Sequence, residues 1–358
     1  MKLYKYRPIS EFLYKELHYQ ELYFASYDEL NDPLDLSATI DYYPKKSEEL
    51  EFLVYTIMKS DFKMDNVSEE YLKNQRLTIK FWRDEKRVKS YCKTLFNKLV
   101  DKKEEPKKIT LEEVLSAIKW TSDKESVDFK FDYESIKAEI NRLTLKFLKN
   151  SYVTCFSSTN ENQLMWSHYG SSHRGICLEF DLKNEGAFPY VLEGKREKDF
   201  EKFTERISKW DTSQSTVFWD RLKKVRYEKE HPHINFFEFA PVFNNEHDCD
   251  LIGLSKPWTH YFAHELEMAF SQKLPNWEYE SEWRAIEINF DEPKIPEDRI
   301  RKYPIEALSG IYFGLKTTES VKNRVYKIIE PKNKEVEFYQ SKLNDKNELE
   351  FEIWYGEE

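Results

Sequence analysis

Apolar and polar positions alternate from Leu3 to Tyr6, which predicts a short strand, and Ser10 then stands as the N-cap of a helix running to about His18. Leu22 to Ala25 reads as a second strand, ending in the turn-rich Asn31-Asp32-Pro33-Leu34-Asp35. From about Lys45 to Asn150 the period changes: charges dominate, glycine vanishes, and Ile136, Ile140, Leu143 and Phe147 recur at helical spacing. The run from Asp101 to Lys108, with Pro106, is its expected linker. Strand patterns return at Tyr152 to Phe156, Gly175 to Asp181, Val225 to Tyr227, Glu282 to Phe290 and Ile311 to Gly314. Between them, Gln163 to Tyr169, Lys198 to Lys224, Thr259 to Phe270 and Thr317 to Ile329 read as helices. Strands from both ends of the chain and helices from the middle predict an α+β fold. It is a single discontinuous core with a mixed or antiparallel sheet, residues 1–44 and 151–358, carrying a helical insertion at 45–150.

Composition narrows the function. With 56 basic and 66 acidic residues the net charge is −10, which disfavours stable binding to duplex nucleic acid. Only 8 glycines are present, and neither GxGxxG nor GxxxxGK[ST] occurs, so a Rossmann or P-loop nucleotide site is not expected. Cys92, Cys155, Cys177 and Cys249 are widely spaced without a CxxC, the pattern of reduced cytosolic thiols. The first residues lack the apolar region of a secretory signal and no 18-residue apolar run exists, which predicts a cytoplasmic protein with no membrane partner.

Four segments carry candidate chemistry. In Cys155 to Gly170 a strand runs into hydroxyls and then a helix, so Ser157 and Ser158 with the helix amides could meet an anion, or could simply cap the helix. In Trp277-Glu-Tyr-Glu280-Ser-Glu282-Trp-Arg284, a strand would put both glutamates on one face, for acid/base work or for a salt bridge to Arg284. In Lys5-Tyr6-Arg7 the guanidinium could clamp a phosphate, or lie on the surface. Asp32 and Asp35 could bind a cation or make a turn. Metal spacing is poor: His260 and His264 share a helical face and His247 lies near Cys249, but a full ligand set is not evident and no metal is expected.

Taken together, several segments resemble a bacterial family known as domain of unknown function 2971. They are Tyr4-Lys-Tyr-Arg7, Leu22 to Ser26 leading to Asn31-Asp-Pro-Leu-Asp35, Cys155-Phe-Ser-Ser158, Met165-Trp-Ser-His-Tyr-Gly170, Gly175 to Asp181, Val225-Arg-Tyr227, Lys273 with Trp277 to Arg284, and Ile311 to Gly314. The resemblance covers about residues 3–40 and 151–315. The order of Arg7, Phe156-Ser-Ser158-Thr159 and Glu280-Ser-Glu282 also resembles that of ADP-ribosyltransferases, although the usual Ser-Thr-Ser is absent. That second resemblance implies an ADP-ribosyltransferase-like fold with NAD as substrate. Arg7 would hold the pyrophosphate, Ser157 or Ser158 would support the ribose and hold the glutamate, and Trp166, Tyr169 or Trp283 would stack on a ring. Glu282, with Glu280 beside it, would stabilise the cation formed as nicotinamide leaves. The leading expectation is therefore an NAD-dependent ADP-ribosyltransferase or NAD-cleaving enzyme, acting as a toxin or antiphage defence effector on an unidentified acceptor: protein, nucleic acid or small molecule. Two alternatives stand beside it. One is a metal-dependent nuclease or hydrolase drawing on Asp32, Asp35, Glu179, Asp181, Glu280 and Glu282. The other is a non-enzymatic module that binds a ligand or partner through its helical insertion.

Overall fold

The computed structural model describes residues 1–51, 53–54, 84–100, 108–126, 134, 137–138, 140–141, 150–182, 222–239, 267–288 and 294–356. Its strands are β1 (Lys2–Arg7), β2 (Glu21–Tyr23), β3 (Ala25–Ser26), β4 (Thr39–Asp41), β5 (Ser151–Ser157), β6 (Ile176–Asp181), β7 (Leu222–Lys224) and β8 (Arg226–Tyr227). They continue as β9 (His233–Asn235), β10 (Gln272–Lys273), β11 (Glu282–Ile288), β12 (Ile300–Lys302), β13 (Leu308–Phe313), β14 (Glu337–Leu343) and β15 (Leu349–Ile353). The helices used below are α1 (Glu11–Tyr19), α2 (Glu85–Leu99), α3 (Leu111–Lys124), α4 (Gln163–His168) and α5 (Glu319–Ile329).

The main sheet has nine strands, in the order β15-β14-β13-β6-β1-β5-β11-β7, with β3 paired to β5 off that path. Its pairs are antiparallel except β13 with β14, which run parallel across the crossover helix α5. The fold is thus α+β on a mixed, mostly antiparallel sheet. Alternation sorts side chains to two faces. On one, Leu3, Phe156, Leu178, Phe180, Ile311 and Phe313 pack under Leu13 and Leu17 of α1 and Val325 and Ile329 of α5. On the other, Val153 and Ile286 join a core with Val88 and Leu95 of α2 and Val114 and Ile118 of α3, so these helices rest on the sheet. Further along, Tyr6, Cys177 and Tyr312 pack with Met165 and Trp166 of α4.

Local chemistry fixes the helix ends. The Ser10 hydroxyl accepts from the Leu13 amide, as its sequence position predicts, and Thr110 with Glu113 forms a capping box on α3. Three expectations need correction. The helix expected to run to Lys224 does not: Leu222–Lys224 is an edge strand hydrogen-bonded along β11, and residues 198–221 lie outside the described residues. The Ser157 to Thr159 hydroxyls do not cap α4, because the chain continues to Asn162, whose carboxamide accepts from Leu164 and Met165. Glu280 and Glu282 do not share a strand: Glu280 ends the 3₁₀ helix Pro275–Glu280, Ser281 turns through a left-handed φ of 44°, and β11 begins at Glu282. The short strands β4, β9, β10 and β12 and the pair β14 and β15 have no counterpart in the sequence pattern. The positions His247, Cys249, His260 and His264 lie outside the described residues.

One irregularity organises the rest. β1 pairs with β6 over six residues but with β5 through a single bridge, Tyr4 to Ser157. Beyond it β1 and β5 part, and β3 takes up the edge of β5 at Val153 and Tyr152. Between those two pairings the sheet is split.

Candidate functional site

A cavity of about 290 Å³ occupies this split, lined by β1 from Tyr4 to Arg7, β5 from Val153 to Ser157, the loop residues Asn31 and Asp35, Tyr169, Lys273, Glu280 and Glu282. That is the low end of the range for small-molecule sites, roughly 300–1,000 Å³.

Lys273 of β10 and Glu282 and Arg284 of β11 form a closed ionic cluster with Asp35 and Glu280. Arg284 is fully buried, where an unpaired charge would be very costly. It meets Glu282 through Nε (2.7 Å) and Nη2 (2.9 Å), and Asp35 through Nη1 (2.6 Å) and Nη2 (2.7 Å), while Nη1 also donates to the Phe270 carbonyl at 2.8 Å. Lys273 Nζ lies 2.7 Å from Glu280, 3.0 Å from Glu282 and 3.2 Å from Asp35. Burial opposes the charge on Glu282, but Arg284 and Lys273 outweigh it and hold that carboxyl down at about 2. Glu280 moves the other way: burial pushes it above the ordinary carboxylate range, against the pull of Lys273 and with the charge of Glu282 adding to the rise. The Tyr169 hydroxyl donates to Glu280 Oε1 at 2.5 Å and accepts from the Asn31 carboxamide at 2.9 Å. Two glutamates separated by one residue thus have different electrostatics.

Ser157 is buried, and its hydroxyl donates to the Glu280 carbonyl at 2.8 Å, fixing the backbone of the acid. The residues from β1 are less completely matched. Arg7 reaches Glu16 of α1 through Nη2 at 2.5 Å, yet its Nε and Glu16 Oε2 are buried with no hydrogen-bond partner. Gly175 makes room for the end of β1, since a Cβ there would lie 2.3 Å from the Arg7 carbonyl. Lys5 spans the split, donating to Thr154 Oγ1 at 2.8 Å and to the Cys155 carbonyl at 3.0 Å.

Of the residues singled out from sequence, Arg7, Ser157, Tyr169, Glu280 and Glu282 line one cavity. Two do not. Ser158 turns its side chain outward and only its amide is used, donating to the Ser281 carbonyl. Trp166 is buried behind Tyr6, edge to face at 5.2 Å, and its indole N–H donates to the Asn160 carbonyl. Its size and its need for an acceptor suit this core position. Trp283 packs against the hydrophobic cluster beneath α1 rather than lining the cavity. Lys273, which bridges three carboxylates, had no signal beyond its place in the family motif.

Four of the six acids put forward for a metal, Asp35, Glu179, Glu280 and Glu282, are already held by cations of the protein. Asp35, Glu280 and Glu282 surround the Lys273 ammonium. Glu179 is bound by Lys2, Ser309 and Tyr312. Among the described residues no group of three or more His, Cys, Asp or Glu side chains is arranged to hold a metal ion. Cys155 and Cys177 are free, and burial pushes both thiols well up, the state of core cysteines rather than nucleophiles.

Residues 165–285 match the family described as protein of unknown function (DUF2971). The family segment begins in α4 and ends in β11, so it contains Tyr169, Lys273, Glu280, Glu282 and Arg284, whereas Arg7, Asp35 and Ser157 lie before it. No curated protein and no solved structure matches the chain. No helix among the described residues is long and apolar enough to cross a membrane.

Proposed function

We propose that the cavity binds NAD and that the protein cleaves its nicotinamide–ribose bond, handing the ADP-ribosyl group to water or to an acceptor. What supports this reading is the convergence of Arg7, Ser157, Tyr169 and Glu280 on one cavity where β1 and β5 part. Nicotinamide leaves with the electron pair of the C1′–N bond, and positive charge develops on the ribose. Glu280 is the group that meets it. Its raised pKa makes it a stronger base than an ordinary carboxylate, suited to taking the proton of the incoming nucleophile. Tyr169 and Lys273 hold its two oxygens, and Ser157 holds its backbone. Glu282 acts through Lys273: its charge is engaged by two cations, which makes it a positioning residue. The reading puts the protein in the cytoplasm, where NAD is abundant, in the setting of a toxin or antiphage effector. The acceptor is a protein, a nucleic acid, a small molecule or water.

The test is nicotinamide release from NAD by the full chain, with and without cell lysate as acceptor. Glu280→Gln should lower the rate by about 10²–10⁴-fold with an unfolding midpoint close to wild type. A folded wild-type protein that releases no nicotinamide, lysate included, would sink this reading and leave a ligand-binding module.

A further inference from the structure

Lys5 differs from the other ionised groups of the cavity. Asp35, Lys273, Glu280 and Glu282 each have an opposite charge within 3.2 Å, and Arg7 has Glu16 at 2.5 Å. Lys5 has no carboxylate partner: its ammonium meets the Thr154 hydroxyl, the Cys155 carbonyl and, at 5.1 Å, the face of the Phe156 ring. Among the described residues it makes no ion pair, and it lies on the same side of β1 as Arg7, two residues away. An ammonium offers three donors, and two are used. Burial lowers its pKa to about 8, and with the charge of Arg7 it outweighs the opposite pull of the more distant Glu16 and Glu282.

We infer that Lys5 is the anion-binding residue of the cavity and that, with Arg7 beside it, it takes a phosphoryl group of the ligand. Three features carry this. Lys5 is held in place from β5, so little side-chain freedom is lost when an anion arrives. Its ammonium is partly desolvated, which strengthens a charge-assisted bond to phosphate. Arg7 is only half satisfied: its Nη2 meets Glu16 and its Nε has no partner. A ligand with a phosphoryl group at the β1 side and a polar, reacting part at Tyr169 and Glu280 matches both sets of residues. The inference takes the identity of the ligand, a nucleotide diphosphate, from the NAD reading, but it concerns binding and not cleavage.

The experiment uses ADP-ribose, which has no nicotinamide to lose, with inorganic pyrophosphate and adenosine as separate arms, each titrated calorimetrically into the full chain. Lys5→Met should weaken ADP-ribose and pyrophosphate by tenfold or more. Adenosine, which lacks phosphate, should respond equally weakly to both proteins. Pyrophosphate alone, without ADP-ribose, would identify a free-phosphate site and still support the role of Lys5. Unchanged ADP-ribose affinity in a folded Lys5→Met protein would overturn the inference, as would a wild type that binds neither phosphorylated ligand. If Lys5→Met does not fold, reductive methylation of the wild type read by peptide mass spectrometry decides. Protection of Lys5 by ADP-ribose or pyrophosphate is expected, and equal labelling with and without them would overturn the inference. Lys5-dependent ADP-ribose binding without nicotinamide release would leave this inference standing and remove the catalytic one.

Discussion

The two sides of the cavity treat charge in contrasting ways. Around β10 and β11, two cations and three carboxylates are interlocked, with Arg284 gripping two acids and Lys273 touching three. Along β1, Lys5 rests on neutral oxygens and Arg7 is joined to Glu16 by one nitrogen. A buried charge whose every bond is made by the protein holds the fold in one arrangement and has little left for a ligand. A buried charge with bonds to spare has already lost water without a full replacement, so a ligand that supplies the missing partner is favoured. The first side is organised for position and the second for recognition. Glu280 stands between them, as the member of the cluster whose charge is least secured.

The sharpest attempt to break this contrast is Arg284→Met. It leaves Asp35 and Glu282 buried without their principal cation, and unfolding in urea should show a loss of about 3–5 kcal/mol. A loss as small as that of a surface substitution would mean the two sides do not differ. Glu282→Gln should cost somewhat less, and its pH dependence is diagnostic. The folded-state pKa lies near 2, below the ordinary 4.5, so the stability Glu282 contributes is complete above pH 4.5 and lost as pH falls toward 2. The gap between wild type and variant should therefore close over that window.

Tyr169→Phe should cost about 1 kcal/mol in unfolding and, by removing a bond that favours the Glu280 carboxylate, should shift the acid limb of any activity profile to higher pH. Lys5 tests the other side of the cavity. Between about pH 8 and 10.5 the unfolded chain binds a proton that the folded chain has released, so this group makes stability rise with pH. Denaturation curves at pH 7.5 and 10 should show that increment in wild type and not in Lys5→Met.

Much of the scaffold was legible because it is written locally. β1, β5, β6 and β11 alternate or run apolar, α1 carries its serine cap, and each appears within a residue or two of expectation. The cluster was not legible, because its bonds are long-range. Asp35 sits in a run that reads as a turn, and Asp32 does make one, through the amides of Leu34 and Asp35. The Asp35 carboxylate, however, meets Arg284 across 249 positions of chain, and no local pattern announces that. The Glu-x-Glu spacing suggested a shared strand face, yet the carboxylates converge through the left-handed turn at Ser281 and the ammonium of Lys273. The hairpin of β14 and β15 is not legible in the sequence because polar residues fill its outward positions and few apolar ones mark its inner face.

The lone bridge between Tyr4 and Ser157 has a mechanical consequence. A continuous sheet transmits force through a ladder of bonds, whereas here two half-sheets meet at one rung and are strapped by the Lys5 side chain. Any occupant of the gap that bonds both β1 and β5 becomes a second strap. Such a molecule would stiffen the seam, slow amide exchange on the facing edges of both strands, and raise resistance to unfolding in proportion to its grip. The protein would then be most rigid in the state in which it holds its ligand.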